Sequence, residues 1–279
     1  MEYPRRIVCL TEETTEALYL LGEQDRIAGI SGFTCRPAAA RREKPRISTY
    51  LSANYERIAA LEPDLVLAFS DLQAEIAAEL ARRGYNVVLF NQRSVEEIFT
   101  MLLTLARLVG AEARGLELIA RLRANLAAIA ASAQRFGRRP RIFFEEWPNP
   151  LIAGIRWVEE LITIAGGEPL FAAGPEQAAA KNRILAPAEA AARRPEAIIA
   201  SWCGRKVDKD VIRRRPGWSE LEAVRGGHVY EIKSAYILQP GPAALTEGVR
   251  QLHAIVARVA GAAVPAALAP EERLDPALA

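Results

Sequence analysis

Histidine is nearly missing from this chain of 279 residues: His228 and His253 are the only two. That count excludes a multi-histidine zinc centre before any geometry is considered. Cysteine is almost as scarce. Cys9, Cys35 and Cys203 are odd in number and far apart, so neither a disulfide framework nor a CxxC metal or redox motif can be built. Net charge is also small, because 36 Lys and Arg stand against 34 Asp and Glu. A formal +2 gives no field that argues for nucleic acid as a partner. No run of 18 or more apolar residues occurs, which excludes an apolar helix long enough to span a bilayer. No GxGxxG follows a strand pattern, and neither GxxxxGK[ST] nor GxSxG is found, so nucleotide binding and serine hydrolysis lack motif support. The opening MEYPRRIVCL has no charged region followed by an apolar stretch and a cleavage site. The expectation for the sequence as it stands is cytoplasmic, or extracytoplasmic if a leader was removed.

What the chain does contain is a repetition. NYERIAALEPDLVLAFS, from Asn54 to Ser70, places a Glu near the start of an alanine-rich helix, then Pro with an acid, then a short apolar strand. LAPAEAAARRPEAIIASW, from Leu185 to Trp202, does so again. Glu56 and Glu189 are 133 positions apart, and Pro63 and Pro195 are 132 apart. RIVCL at Arg6 is matched by RIFFE at Arg141, and NVVLF at Asn86 by HVYEI at His228. Matches in one order at a nearly constant offset predict two similar α/β lobes rather than one continuous sheet. Two lobes imply a cleft, the usual place for a small ligand.

Apolar strands alternating with helical spacing predict parallel sheets covered on both faces. In the first lobe strands are expected at Arg6 to Leu10, Arg26 to Ser31, Leu65 to Phe69 and Val87 to Phe90, with helices at Thr11 to Leu21, Leu51 to Leu61 and Gln73 to Arg83. Ser94-Val95-Glu96-Glu97 fits a capping box that opens another helix. A helix from Glu112 to Gln134 would extend roughly 34 Å at ~1.5 Å per residue, enough to join the lobes. The second lobe is expected to hold strands at Arg141 to Phe144, Ala197 to Ser201 and Val229 to Ile232, with a short one near Pro169. Its helices are expected at Trp157 to Ala165, Pro187 to Arg193, Trp218 to Ala223 and Thr246 to Val259. The division is therefore 1–110 for the first lobe, 111–136 for the joining helix, 137–261 for the second lobe, and 262–279 for an Ala- and Pro-rich tail expected to be disordered.

Ligands of open parallel sheets gather beyond the carboxyl ends of the strands. The segments there are Thr11 to Thr14, Gly32 to Tyr50, Ser70 to Leu72 and Asn91 to Arg93 in the first lobe. In the second they are Glu145 to Asn149, Trp202 to Arg205 and Ser234 to Gln239. Tyr50, Trp147, Trp202 and Tyr236 all fall in this set although aromatics make up only 7% of the chain. Flat aromatic walls edged by amides such as that of Gln239 suit a large, partly apolar ligand. Each of these tryptophans could instead cap a sheet end, while Trp157 and Trp218, inside expected helices, read as core anchors. Glu145 and Glu146 are adjacent on a strand and point to opposite faces, so at most one enters a cleft; Glu146, which leads into Trp147-Pro148-Asn149-Pro150, is the candidate.

Taken in order, RIVCLTEETTEALYLLG, ISTYLSANYERIAALEPDLVLA and EEWPNPLIAGIRWVEELITIAGGE resemble the helical-backbone substrate-binding proteins of ABC importers, and within them the cobalamin-binding branch. The resemblance covers Arg6 to Val259. It implies two Rossmann-like lobes with parallel sheets joined by one long backbone helix. It also implies non-catalytic binding of a corrinoid such as cobalamin by Tyr50, Trp147, Trp202 and Tyr236, to which the strand-end positions add Glu146 and Gln239 as ligand-binding candidates. Glu56 and Glu189 match the surface carboxylates with which the family docks on an ABC permease. A monomer with no catalytic cofactor is expected. The alternatives are a ferric-siderophore or haem binder, using Arg36, Arg93, Arg205 and Lys206 against an anionic ligand, or a cytosolic corrinoid binder without a transporter. An enzyme using Glu146 as acid or base is the remaining reading.

Overall fold

The structure, a computed structural model, describes residues 3–49, 51–171, 174 and 177–271. The chain divides into two compact units. The first comprises Met1–Gln92 with Glu96–Arg121, and the second Arg93–Val95 with Leu122–Ala279.

The first unit runs β1 (Ile7–Cys9), α1 (Glu12–Leu20), β2 (Ile27–Ser31), α2 (Ala38–Glu43), β3 (Arg46–Ser48), α3 (Tyr55–Ala60), β4 (Leu65–Phe69), α4 (Ala74–Arg82), β5 (Val87–Phe90) and α5 (Val95–Leu108). Its sheet is parallel throughout, in the order β3-β2-β1-β4-β5. The central β1 and β4 are buried along their whole length, which is why they read as unbroken apolar runs. Val8, Leu10, Val66 and Ala68 from these strands pack with Ile58 of α3 and Ile76 and Leu80 of α4. α2 and β3 lie in a stretch whose sequence carries no apolar period, and they were not expected.

α6 (Glu112–Ala133) follows, and the division between the units falls inside it, after Arg121. The second unit continues with β6 (Arg141–Pro148), β7 (Leu151–Ala153), α7 (Arg156–Ile164), β8 (Glu168–Pro169), β9 (Ile184–Leu185), α8 (Pro187–Ala192), β10 (Ala197–Ala200), α9 (Lys209–Arg213), α10 (Glu222–Arg225), β11 (Val229–Glu231), α11 (Ser234–Ile237) and α12 (Val249–Ala260). Its sheet order is β11-β10-β6-β7-β9, with β8 also pairing β6. β10, β11 and β8 join in parallel, but β7 pairs antiparallel with both β6 and β9. The expected α/β organisation with mostly parallel strands holds, and an antiparallel hairpin is added to the second sheet.

That hairpin also corrects the expected loop from Glu145 onward. β6 continues through Pro148 because Glu145, Trp147 and Pro148 find partners in Ala153, Ile152 and Leu151 across the Asn149-Pro150 turn. The helix expected from Trp218 begins only at Glu222, since Pro216-Gly217 forms a turn with Gly217 at φ +80° and Trp218 donates its backbone N–H to Arg215 O at 3.0 Å. Trp218 nonetheless anchors the core, as does Trp157. The last helix opens with a π-helical turn at Ala244–Gly248, where a Cβ on Gly248 would lie 2.2 Å from Tyr236 O, so only glycine admits the approach. Of 262–279, residues up to Glu271 are described. Ala266–Leu268 forms a 3-10 turn, and the Glu271 N–H donates to Glu247 Oε2 at 3.0 Å.

Candidate functional site

In the first unit the chemistry collects where the parallel strands end. β1 runs directly into α1, whose first turn carries Glu12 and Glu13. A helix N-terminus favours carboxylates, yet burial outweighs it here. Burial, reinforced by the Glu16 charge and opposed by the Thr11 hydroxyl and a backbone N–H, pushes the Glu13 carboxyl up to about 7. Burial together with the charges of Glu13 and Glu16 pushes Glu12 up to about 8, with Arg41 acting the other way. Thr11 Oγ1 donates to Glu13 Oε1 at 2.6 Å, whereas the buried Oε2 has no hydrogen-bond partner. Glu16 in the next turn is neutralised by Arg36 at 2.9 Å.

Neighbouring strand ends are apolar. Phe33 follows β2, Leu51 follows β3 and Leu72 follows β4, at 45%, 69% and 56% exposure respectively. All three side chains leave the sheet at the end where β1 delivers Glu12 and Glu13, because the four strands are adjacent and parallel. Single exposed apolar residues are ordinary, whereas here three lie on strand ends of one sheet at the end where β1 runs into α1. Ser70, closing β4, holds φ 65° and ψ 170°. Its backbone N–H donates to Phe90 O at 2.7 Å and its Oγ accepts from Leu72 N at 3.2 Å, which fixes the loop that carries Leu72.

The second unit presents two buried ion pairs on opposite faces of β6. Glu145, fully buried, accepts from Arg215 Nη1 at 2.5 Å and Nη2 at 2.8 Å, and from the indole N–H of Trp202 at 3.1 Å. The guanidinium of Arg215 also lies 4.5 Å over the Trp218 ring. Glu146 pairs with Arg183 at 2.6 and 3.2 Å, and the same guanidinium donates to Ala153 O on β7. Glu159 of α7 faces this second pair. Burial holds its carboxyl well above the usual range, the Glu146 charge adding to the effect and Arg183 opposing it. A Cβ on Gly154 would lie 2.1 Å from Glu159 Oε1, so glycine is what lets that carboxyl sit against β7.

Against this geometry, the expected site residues fall in different places. Trp147 is half-buried on β6, its indole N–H bonded to Asn149 O at 3.1 Å, and packs against the cluster that contains Trp202. Trp202 itself is 1% exposed and belongs to the core of the second unit, so it is corrected from a wall residue to a structural one. Its bond to the buried Glu145 is the reason. Tyr236 is half-buried on α11, and Gln239 just beyond is buried. Glu146 is committed to Arg183. Tyr50 lies outside the described residues. Glu56 and Glu189 sit in the first turns of α3 and α8, both exposed; Glu56 meets Arg83 at 3.4 Å. Phe33 and Leu72 were within the strand-end segments singled out from sequence, whereas Leu51 was expected to open a helix; the weight given to Tyr and Trp passed over all three. Among the described residues no helix is long and apolar enough to cross a membrane, and no group of three or more His, Cys, Asp or Glu could hold a metal ion.

Residues 7–236 match the profile of a family described as periplasmic binding protein. Over 249 residues the chain is 26% identical to a vitamin B12-binding protein of Vibrio vulnificus, covering 86% of each. In fold it is similar to a periplasmic vitamin B12 binding protein of Vibrio cholerae, with a TM-score of 0.72, 20% identity, and coverage of 92% of this chain and 98% of the other. A periplasmic heme binding protein from Pseudomonas aeruginosa is similar to the same degree, with a TM-score of 0.77, 19% identity, and coverage of 94% and 95%.

Proposed function

Because the chain belongs to the periplasmic binding protein family, whose members are binding proteins rather than enzymes, we propose that its ligand is a corrinoid of the cobalamin type, delivered to an ABC permease outside the cytoplasmic membrane. The observation that carries this reading is at the strand ends of the first unit: Phe33, Leu51 and Leu72 are exposed at the same end of the sheet as Glu12, whose carboxyl is pushed up to about 8, and the buried Glu13, pushed up to about 7. A corrinoid is large, carries neutral carboxamides, and offers apolar ring edges. Carboxyls poised near neutrality can donate to amide carbonyls when protonated or accept from amide N–H groups when ionised.

The same surface disfavours anionic chelates. Haem propionates and siderophore carboxylates or catecholates call for cations, and carboxyls at the strand ends supply none. Of the cations considered from sequence, Arg36 is taken by Glu16 and Arg205 lies over the Trp202 ring at 5.4 Å. Trp147 and Tyr236, both half-buried, are the aromatic contacts proposed on the second unit, and Glu56 and Glu189 the permease-docking carboxylates.

Absorbance titration of the purified protein with cyanocobalamin, hemin and a ferric catecholate separates the possibilities. Saturable binding of cyanocobalamin, with hemin and the chelate at least about tenfold weaker, is the expected result. Tight hemin binding with no cobalamin response would replace this assignment by a haem carrier.

A further inference from the structure

Many arginines in this protein are matched by carboxylates. Arg26 pairs with Glu23, Arg138 and Arg141 with Glu196, Arg156 with Glu160, Arg183 with Glu146, and Arg215 with Glu145. One group of cations converges without a carboxylate. Arg41 near the end of α2, Lys44 just after it, Arg46 on β3 and Arg57 on α3 line a single open groove of about 720 Å³, and no carboxylate lines it with them. None of the four has an ion-pair partner among the described residues, although the Arg41 charge is felt at Glu12. The floor is apolar, made by Pro45, Ile47, Ala60 and Leu61.

Local effects explain single members of this set but not their convergence. Arg41 and the neighbouring Arg42 lie in the last turn of α2, where the carbonyl end of the helix favours cations. Arg46 lies on β3, the edge strand of its sheet, where a charge discourages strand addition. Arg57 lies in the last turn of α3, where the same helix-end effect applies, with its Nη1 3.5 Å from Arg46 O; neither effect accounts for two helix ends and an edge strand turning their cations into one concavity. Four like charges around one concavity repel one another, and an anion of two or more charges relieves all four contacts together. Guanidinium pairs match phosphate oxygens in geometry as well as charge. The groove has the volume of a small-ligand site, and its apolar floor suits the carbon part of such a molecule.

We propose that this groove of the first unit is a binding site for a phosphate-bearing ligand, separate from the corrinoid surface, with Arg46 and Arg57 as its principal contacts. The phosphate could be carried by a soluble compound or by a lipid headgroup. Calorimetric titration with pyrophosphate at low ionic strength, beside co-sedimentation with phosphatidylglycerol and phosphatidylcholine vesicles, tells the two apart. Pyrophosphate binding identifies a soluble phosphate compound, and retention on phosphatidylglycerol vesicles alone identifies a headgroup. In either case Arg46→Glu/Arg57→Glu should weaken the interaction by at least about tenfold, and added salt should weaken it in the wild type. Arg46→Ala/Arg57→Ala serves if the reversal does not fold. Cyanocobalamin titration should be unchanged in both variants, which keeps this test apart from that of the corrinoid assignment. Absence of binding to both probes, or binding that the substitutions leave intact, would overturn the proposal.

Discussion

Glu62 and Arg194 adopt the same left-handed backbone conformation, φ 45° and φ 53°, at positions 132 apart. Each follows the last turn of an equivalent helix, α3 or α8, and each precedes a proline and an acid. The acids are equivalent as well. Asp64 accepts from the backbone N–H groups of Arg5 and Arg6 at the head of β1, and Glu196 accepts from that of Arg141 at the head of β6. Even the arginines agree: Arg6 Nε donates to Leu61 O at 2.8 Å and Arg141 Nε to Arg194 O at 3.0 Å. The repeat seen in sequence is thus a repeat of hydrogen bonds, in which an acid after each helix fixes the start of the neighbouring strand.

Glu196 gives this arrangement a measurable consequence. Burial acts against its ionisation, but the Arg141 N–H and the guanidinium of Arg138 hold its carboxyl below the usual range. Its contribution is therefore present at neutral pH and lost as pH falls through the depressed value. Glu196→Gln should cost about 1–3 kcal/mol at pH 7 in urea denaturation, with the difference from wild type shrinking in acid.

The opposite sign applies to Glu13. A carboxyl raised from 4.5 to about 7 binds its proton more tightly in the folded state. That stabilisation is complete below the unfolded value and declines as pH rises through the folded one. Glu13→Gln should therefore flatten the fall in Tm between pH 5 and pH 8, and calorimetric scans at several pH values read it directly.

Removing Arg215 would strand Glu145, a fully buried carboxylate. Arg215→Ala should lose about 3–5 kcal/mol, whereas Glu145→Leu/Arg215→Met should lose much less, since the costly state is the unpaired charge rather than the missing pair. Chemical denaturation of the three proteins checks the order.

On the first unit, Phe33→Asp and Leu72→Asp alter exposed residues. They should shift stability by no more than about 0.5 kcal/mol while weakening cyanocobalamin binding by at least about tenfold. Trp147→Ala should weaken it by about 2 kcal/mol. Unchanged affinity in absorbance titration would remove the corresponding side chain from the ligand surface.

The docking carboxylates call for a transport assay. Glu56→Lys/Glu189→Lys should leave cyanocobalamin binding and Tm almost unchanged and abolish stimulation of the permease ATPase, because rim charges act through complementarity to a partner. Loss of ligand binding in this variant would instead give both residues a role within their own units.

Where apolar runs were short and bounded by turns, the sequence was sufficient: β4 at Leu65–Phe69 and β5 at Val87–Phe90 stand where the pattern put them. So did the long helix α6, ending at Ala133, one residue short of the expected Gln134. Pairing that depends on a distant segment was not legible. β6 extends through Trp147 only because β7 returns beside it. Trp202 moved from wall to core because its indole N–H is satisfied by Glu145, which in turn is neutralised by Arg215, 70 residues away. A loop aromatic with a buried acceptor in reach packs inward, and single-sequence patterning carries no sign of that acceptor. The exposed Leu72 after β4 was passed over because aliphatic side chains leave no compositional mark that distinguishes it from any other leucine.

The backbone of Ser70, at φ 65° and ψ 170°, lies in a region that is essentially the preserve of glycine. Its hydroxyl meanwhile caps the turn at Leu72. The usual ranking of substitutions is inverted there: glycine, disruptive in most ordered segments, is the mild replacement, since it relaxes the backbone while giving up one cap. Alanine is the harsh one, keeping the strain and losing the cap. Either change would leave the Leu72 loop held by the backbone bonds of Ser70 to Phe90 and Gln73.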